Sequence, residues 1–275
     1  MIDIITDTHQ DICELADFIS SEYFSSGVVM PESILMDEGV RVVYGDFKKA
    51  FDGLLEWRNN RFYTYCNLNS VYDKSTPRVR FTLAHETGHY FIDHHRNALK
   101  QGLVPAHPSF CGYRSKSIIE READAFASHL LMPTPRFLKD AKCSTIGFEG
   151  IRKLSDKYKT SLTSTTIRYM DVFLENAVLL CWDKNRNLLW RRCSENSDFS
   201  ERNVASVNFS SLAKSSATEK LLSGNVTNRN DIVETGSVAS SWFYGINSGW
   251  STDAILIEQA VHRGKYGWLT LLWPV

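Results

Sequence analysis

The spacing of apolar residues predicts helices and a small sheet in the first half of the chain. Residues 7–26 carry apolar side chains every three or four positions, which indicates a helix. Residues 40–44 read as a strand, and the pair Asn59-Asn60 between two aromatic-rich runs indicates a hairpin. Long helical segments follow over residues 78–95 and 117–132. This mixture of helices and strands is typical of an α+β domain.

The pattern changes in the second half of the chain. Residues 148–176 continue as helices, and strand-like runs rich in Val, Leu, Ile and Trp appear after them. We therefore predict a first domain over residues 1–145, a helical connector over 146–175 and a C-terminal α/β domain of unknown role over 176–275. The connector has a helix-turn-helix outline, but its few basic residues favour a plain pair of packed helices.

Composition and charge place the chain among ordinary globular proteins. Its 275 residues are 43% hydrophobic and 23% charged, which is enough to bury a core. The formal net charge of -1 gives no basic surplus for a nucleic-acid backbone, so we do not expect direct nucleic-acid binding. The six cysteines are dispersed without a Cys-x-x-Cys pair, so we expect reduced thiols rather than a Cys-based zinc site.

The sequence also carries no pattern that directs it to a membrane. Its first residues are acidic where an export signal has positive charge, and they lack an apolar core segment. No run approaches the roughly 18 apolar residues of a membrane span. The sequence therefore predicts a cytoplasmic protein without a membrane partner. Glu258 and His262, four residues apart near the C-terminus, read as a solvated helical pair.

The residues AHETGHYF, Ala84 to Phe91, carry the clearest chemistry. On a helix, His85 and His89 share one face, so both imidazoles can reach one point. Zinc accepts neutral imidazole nitrogen and keeps a position open for water in catalytic sites. Glu86 follows the first histidine directly and would lie beside the metal as a general base rather than as a ligand. His-Glu-x-x-His on a helix is a motif of zinc metallopeptidases.

The third zinc ligand is left open by the sequence, and His95 is one candidate. HETGHYFIDHH nearly matches the pattern HExxHxxGxxH, in which a glycine turns the chain and returns the last histidine to the metal. Ile92 occupies the place of that glycine. We therefore expect the helix to continue past Ile92 and to leave His94 and His95 solvated at its C-terminus, where the helix dipole favours them.

Glu120 is the second candidate, in the helical segment SIIEREADAFASHLLMP. Glu120 and Asp124 lie four residues apart on one flank of the apolar face, so Glu120 can bind the metal while Asp124 braces a ligand histidine. Two other interpretations stay open. Glu122 on the opposite flank is a possible ligand, and Ser117 with Glu120 can form a capping box that needs no metal.

The two motifs together resemble the ImmA/IrrE family of metallopeptidases. AHETGHYF is followed some thirty residues later by EREADAFASHLLMP, and the resemblance covers roughly residues 10–140. It implies a zincin-like metallopeptidase domain with the HExxH helix and a small sheet that contains antiparallel strands. It also implies that Glu120 supplies the third ligand. Asp124 stands where the family usually has Asn, and it keeps a polar acceptor there.

These residues predict a zinc-dependent endopeptidase. His85, His89 and Glu120 would hold Zn²⁺, and Glu86 would activate a water molecule for attack on a peptide bond. The family's members cleave, or trigger the loss of, helix-turn-helix repressors and antitoxins, which implies a regulatory protein as partner, in transcription or stress response. The alternative is a non-catalytic protein that sequesters a repressor and has a structural or vestigial zinc site. The presence of Glu86 favours the catalytic interpretation, because a structural zinc site needs no general base.

Overall fold

Helices and two sheets make up the part of the chain that the structure describes. The computed structural model describes residues 9–68, 73–104, 106–110, 117–173, 176–194, 216–223, 231–243, 251 and 253–275. The predicted α+β class is confirmed. The chain divides into two compact units. The first consists of residues 1–137 and 155–161, and the second of residues 138–154 and 162–275. The predicted boundaries at 145 and 175 fall within the second unit, and the three-part division stays a prediction.

The first unit combines a small sheet with helices that surround the HExxH segment. Its helices are α1 (His9–Tyr23), α2 (Pro31–Asp37), α3 (Pro77–Phe91), α4 (Asp93–Lys100) and α5 (Ile118–Leu131). Its strands are β1 (Arg41–Gly45), β2 (Gly53–Arg58), β3 (Arg61–Asn67) and β4 (His107–Ser109). They lie in the order β1-β3-β2-β4, with β1 parallel to β3 and the other neighbours antiparallel. The predicted sheet with antiparallel strands is confirmed.

Helix α3 is buried between the sheet and two other helices. Val79 and Leu83 pack with apolar residues of β2 and β3. On the other side, Ala84 lies in a cluster with apolar residues of α1 and α5. The helix begins after Thr76, whose hydroxyl accepts a hydrogen bond from the backbone N–H of Val79 at 3.3 Å. Because both sides are covered, residues 82–89 are all buried, the polar ones included.

The hairpin predicted at Asn59-Asn60 joins β2 to β3. Both asparagines have positive φ values, 51° and 59°, a conformation that Asn adopts more readily than most residues. The two strands pair antiparallel from Gly53 opposite Cys66 to Arg58 opposite Arg61. The turn therefore fixes the register that places Gly53 next to α3.

Helix α3 ends earlier than the sequence predicts. It stops at Phe91, and Ile92 adopts an extended conformation with φ -70° and ψ 113° before α4 begins at Asp93. The expectation that the helix continues past Ile92 is therefore wrong. The side chain of Ile92 is completely buried in the cluster formed by α1, α3 and α5. Burial of this apolar side chain favours a break that neither glycine nor proline signals.

The second unit is built around an antiparallel sheet. Helix α8 (Leu162–Val172) precedes the sheet in the chain, and α9 (Ala217–Leu222) lies between its strands in sequence. Helices α6 (Thr134–Lys142) and α7 (Phe148–Tyr158) each have residues in both units. The strands are β5 (Val178–Trp182), β6 (Leu188–Cys193), β7 (Ile232–Val238), β8 (Ile255–His262) and β9 (Trp268–Pro274). Their order is β6-β5-β9-β8-β7, and all neighbours are antiparallel. The predicted helices over 148–176 and the strands after them are confirmed.

Glu258 and His262 lie on strand β8, so their prediction as a solvated helical pair is wrong. Residues four apart share a face of a strand as well as of a helix, so spacing alone does not separate the two. Glu258 is completely buried. Its Oε1 atom accepts hydrogen bonds from the hydroxyl of Ser216 at 2.7 Å and from the backbone N–H and hydroxyl of Thr218 at 2.7 and 2.8 Å. Glu258 therefore ties α9 to the sheet.

Two sequence-based expectations concern the described part of the chain as a whole. Within the described ranges, no helix is both long and apolar enough to cross a lipid bilayer. No disulfide joins the cysteines that the structure describes, which are Cys13, Cys66, Cys143, Cys181 and Cys193. Cys111 lies outside the described residues.

Candidate metal centre

His85, His89 and Glu120 converge on one point between α3 and α5. The Nε2 atoms of His85 and His89 are 3.1 Å apart. The two carboxylate oxygens of Glu120 lie 3.4 Å from Nε2 of His85 and 3.3 Å from Nε2 of His89. All three side chains are buried. The structure thus brings together the three residues that the sequence suggests as metal ligands.

The spacing of these donor atoms fits a small divalent metal ion. Ligand atoms at about 2.0–2.1 Å from a tetrahedral zinc ion lie roughly 3.3 Å from one another. The observed separations of 3.1, 3.3 and 3.4 Å are close to that value. Two imidazoles and one glutamate are also a known donor set of catalytic zinc. The residues present therefore allow a metal ion at this point.

Helix α5 comes close to α3 at Gly88. A Cβ atom at this position would lie 3.2 Å from atoms of the Phe126 side chain, which is tighter than ordinary van der Waals contact. Phe126 belongs to the buried face of α5 together with Ala123 and Ala127. The missing side chain at Gly88 therefore determines how near the two helices approach, and Glu120 on α5 reaches the histidines as a result.

Asp124 lies behind His85. Its Oδ1 atom is 2.9 Å from Nδ1 of His85, whereas Glu120 faces Nε2 of the same ring. A proton on Nδ1 leaves the Nε2 lone pair available to a metal. Burial by itself lowers the pKa of His85, but the hydrogen bonds with Asp124 and Glu120 outweigh burial and raise the pKa to about 10. The surroundings of His85 therefore favour a positive charge at Nε2, whether a proton or a metal ion.

Glu86 is completely buried, and its carboxylate lies near enough to His85 and Glu120 to interact with their charges. Among the described residues, no hydrogen bond of good geometry reaches either of its carboxylate oxygens. Burial raises the pKa of Glu86 to about 7, although the charge of His85 and the nearby Ser109 hydroxyl lower it; the charge of Glu120 acts in the same direction as burial. A carboxylate with a pKa near neutrality can both accept a proton and return it. Glu86 thus has the properties of a general base rather than those of a ligand.

Gly53 leaves room for the carboxylate of Glu86. A Cβ atom at Gly53 would collide with Oε1 of Glu86 and would lie 2.8 Å from Cγ2 of Thr82. The sequence interpretation does not single out Gly53, because its contact with α3 exists only after the sheet has formed. A glycine inside the strand-like run FDGLLEW is the signal that could have found it, since such glycines often mark a close approach.

His95 is buried behind His89, so its prediction as a solvated histidine is wrong. Only 4% of His95 is exposed, and its Nδ1 atom lies 3.1 Å from Nδ1 of His89. Burial and the neighbouring histidines lower the pKa of His95 to about 2. The physical reason for the difference is the end of α3 at Phe91, which turns the chain and returns His95 to the rear of His89.

Glu122 belongs to a second cluster with His94 and His95. The Nε2 atoms of both histidines lie 2.9 Å from Oε2 of Glu122. These three side chains also bring potential ligand atoms together. Glu122 does not join the Nε2 atoms of His85 and His89, where the carboxylate is that of Glu120.

The capping-box interpretation of Ser117 and Glu120 is not realised. Ser117 occupies the N-cap position of α5, but its side chain forms no capping hydrogen bond there. The carboxylate of Glu120 is directed at the two histidines instead.

Comparison with known families identifies the domain that carries this arrangement. Residues 35–168 match the family model described as the IrrE N-terminal-like domain, peptidase M78. These residues belong to the ImmA/IrrE family. The ImmA/IrrE match includes the HExxH helix and the whole of α5, which confirms the resemblance seen in the two motifs. It extends to residue 168 within α8, beyond the range that the motifs suggest.

Solved structures share this fold. One chain, described as a Mycobacterium tuberculosis transcriptional regulator, matches with a TM-score of 0.63. The match covers 96% of this chain and 76% of that chain at 11% sequence identity, and at this identity it shows the fold alone. No curated protein sequence matches the chain.

Proposed function

We propose that the ImmA/IrrE domain of this chain is a zinc-dependent endopeptidase. The observation that carries the proposal is the convergence of His85, His89 and Glu120 with Glu86 buried beside them. A structural zinc site is usually closed by four protein ligands, whereas three protein ligands leave a position for water. Zinc is favoured over harder ions because imidazole nitrogen supplies two of the three donors. A base next to such a site has a use only if water reacts there.

The chemistry of peptide hydrolysis assigns a task to each of these side chains. A zinc ion bound at this point would lower the pKa of a water molecule to about 7 and polarise the substrate carbonyl. Glu86 would accept a proton from the attacking water while the water oxygen forms a bond to the carbonyl carbon and the carbonyl π bond opens. Glu86 would then deliver the proton to the amide nitrogen as the carbonyl re-forms and the C–N bond breaks. Asp124 meanwhile keeps the proton of His85 on Nδ1.

We infer that the substrate is a regulatory protein such as a helix-turn-helix repressor or an antitoxin. Resemblance to the ImmA/IrrE family supports this class of substrate. The solved chain with the same fold is described as a transcriptional regulator, which agrees with a regulatory setting. A net charge of -1 favours action on a protein over direct binding to DNA. A cytoplasmic location, expected from the sequence, agrees with such a substrate.

The substitution Glu86→Gln tests the proposed mechanism. Gln preserves size but accepts no proton, so the variant should retain zinc while cleavage falls by roughly 10²- to 10⁴-fold. Cleavage is measured by mass spectrometry on purified helix-turn-helix regulators from the same organism, and zinc by elemental analysis. Glu22→Gln, at an exposed position of α1, is the matched control and should cleave normally. Normal cleavage by a zinc-loaded Glu86→Gln protein would exclude Glu86 as the base.

The same assay distinguishes the alternative, a non-catalytic protein that sequesters a repressor. In that case the wild-type protein and Glu86→Gln form the same stable complex with the regulator, and neither yields a cleaved product. If the protein is an enzyme, the wild type should yield a cleaved regulator, and only Glu86→Gln should form a complex with the uncleaved regulator. Buried Glu86, without a well-formed hydrogen bond among the described residues, favours the enzyme.

A further inference from the structure

We propose that His95 and Glu122 position His89 for metal binding through a chain of hydrogen bonds. The chain runs from Nδ1 of His89 to Nδ1 of His95, and from Nε2 of His95 to Glu122. His95 and Glu122 are thus positioning residues, not ligands of the metal. The inference rests on the proposed metal site and adds to it the residues that orient its second histidine.

The break at Ile92 is what makes this contact. Successive residues of an α-helix are about 100° apart around its axis, so residues six apart lie on different faces. An uninterrupted helix would therefore carry His95 away from His89. Because Ile92 is extended and α4 begins at Asp93, the two rings come together with centroids 5.0 Å apart.

If Nε2 of His89 binds the metal, this determines which nitrogen carries the proton in His89 and in His95. A neutral imidazole carries one N–H, so a His89 ring that offers the Nε2 lone pair to a metal has its proton on Nδ1. The atom that faces this N–H is Nδ1 of His95, at 3.1 Å. If His95 accepts there, its own proton is on Nε2, which lies 2.9 Å from the Glu122 carboxylate. Each donor then has an acceptor, and no ring needs to be charged.

His85 and His89 are in this way supported differently. Asp124 accepts directly from Nδ1 of His85 at 2.9 Å. For His89, the carboxylate of Glu122 acts through an intervening imidazole. A carboxylate behind a ligand histidine fixes the ring and raises the basicity of the metal-binding nitrogen. The hydrogen bonds through His95 to Glu122 therefore orient the ring of His89 and raise the basicity of its Nε2 atom, as Asp124 does for His85.

A second metal ion at His94, His95 and Glu122 is the competing interpretation of the same cluster. Metal at Nε2 of His95 would force its proton onto Nδ1, which would then face the N–H of His89 across 3.1 Å. Two N–H groups directed at each other repel. With neutral rings the two metal sites are therefore incompatible, and the geometry favours hydrogen bonding in the second cluster.

The test compares His95→Leu with His95→Asn. Leucine fills the space but accepts no hydrogen bond, so zinc affinity should fall by about 10- to 100-fold. Asparagine can place an amide oxygen near the position of Nδ1, so it should restore affinity to within about threefold of the wild type. Affinity is measured by competition with a chelator. With Co²⁺ as a probe, the visible absorption band should shift in His95→Leu and return in His95→Asn.

A neighbouring residue provides the matched control. His94 binds the same Glu122 oxygen and its ring centroid lies 4.4 Å from that of His95, but His94 is not a member of the hydrogen-bonded series His89–His95–Glu122. His94→Leu should therefore leave the Co²⁺ spectrum and the zinc affinity unchanged. Glu122→Leu should resemble His95→Leu, and Glu122→Gln, which keeps an acceptor, should be milder. Circular dichroism verifies folding, and the Glu122 pair decides the question if His95→Leu does not fold.

The possible outcomes separate this inference from the proposed function. Suppose that the wild type binds zinc and that His95→Leu and Glu122→Leu bind it equally well, with unchanged Co²⁺ spectra. This result would overturn the positioning role alone. Two zinc equivalents in the wild type, one of them lost in His94→Leu, would overturn it in favour of a second metal site. Wild-type protein that takes up no zinc would overturn the metal site and this inference together.

Discussion

Glu120 and Ser117 lie one turn apart at the start of α5, yet only the replacement of Glu120 by alanine is expected to lower zinc affinity. Glu120→Ala removes one of three donor groups, so zinc affinity should fall by more than the roughly 10- to 100-fold typical of an outer partner. Ser117→Ala should leave affinity unchanged, because the group of potential ligands consists of His85, His89 and Glu120 and does not include Ser117. Chelator competition measures both. A Glu120→Ala protein that keeps its zinc and loses only stability would restore the capping interpretation.

The contact between Gly53 and Glu86 gives a second prediction for a single residue. Gly53→Ala places a methyl group against Glu86, so the carboxylate must move while the metal ligands stay in place. A misplacement of about 1 Å can cost on the order of 10²-fold in rate, so cleavage should fall by that factor with zinc retained. Gly236→Ala is the control, because a Cβ there meets no atom within 4 Å. Equal cleavage by both variants would contradict the proposed contact.

Among the secondary-structure elements, the β2–β3 hairpin holds Gly53 in register. Asn60 has a φ of 59°, so Asn60→Val should cost about 1–2 kcal/mol, because a β-branched residue is strained in the left-handed region. Asn60→Gly should be neutral or stabilising, since glycine is preferred at such turns. Urea unfolding curves provide the comparison. Equal stability of the two variants would mean that the turn changes conformation freely.

Some elements were predictable because their signals are local. The Asn59-Asn60 turn and the apolar face of α5 depend on residues that are close together in the sequence, and both are present as expected. The end of α3 was not predictable, because Ile92 carries no local stop signal and its burial depends on α1 and α5. Strand β8 was partly predictable as a strand, but the burial of Glu258 depends on α9, which is distant in sequence.

The candidate site divides in the same way. His85, Glu86 and His89 follow from one motif, and Glu120 follows from helical spacing together with the family resemblance. Gly53 and the location of His95 depend on how separate elements pack, so spacing could not reveal them. The sequence leaves Glu120 and Glu122 as competing carboxylates, and the fold directs each to a different cluster.

Over the whole molecule, each unit has contacts that join distant parts of the sequence. Gln259 on β8 accepts a hydrogen bond from the backbone N–H of Phe148 at 2.7 Å and donates one to Glu234 at 2.6 Å. Gln259→Leu should cost about 1–3 kcal/mol, because it leaves the buried N–H of Phe148 without its acceptor. Ile255→Ala, at an exposed position of the same strand, should change stability little.

Urea unfolding followed by tryptophan fluorescence measures the effect of Gln259→Leu, because Trp182 and Trp242 are buried in the second unit. Its transition should move to lower urea while zinc content and cleavage of the regulator remain normal below the transition. A Gln259→Leu protein as stable as Ile255→Ala would mean that another group satisfies the N–H of Phe148.

The turn at Ile92 has a consequence for how related chains diverge. It joins position 95 to position 122, so a histidine and a glutamate from separate segments depend on each other. A lineage that loses the histidine no longer needs the glutamate, and a lineage that changes the glutamate leaves a buried imidazole N–H unsatisfied. The histidine at position 95 and the glutamate at position 122 should therefore be inherited as a pair across the family.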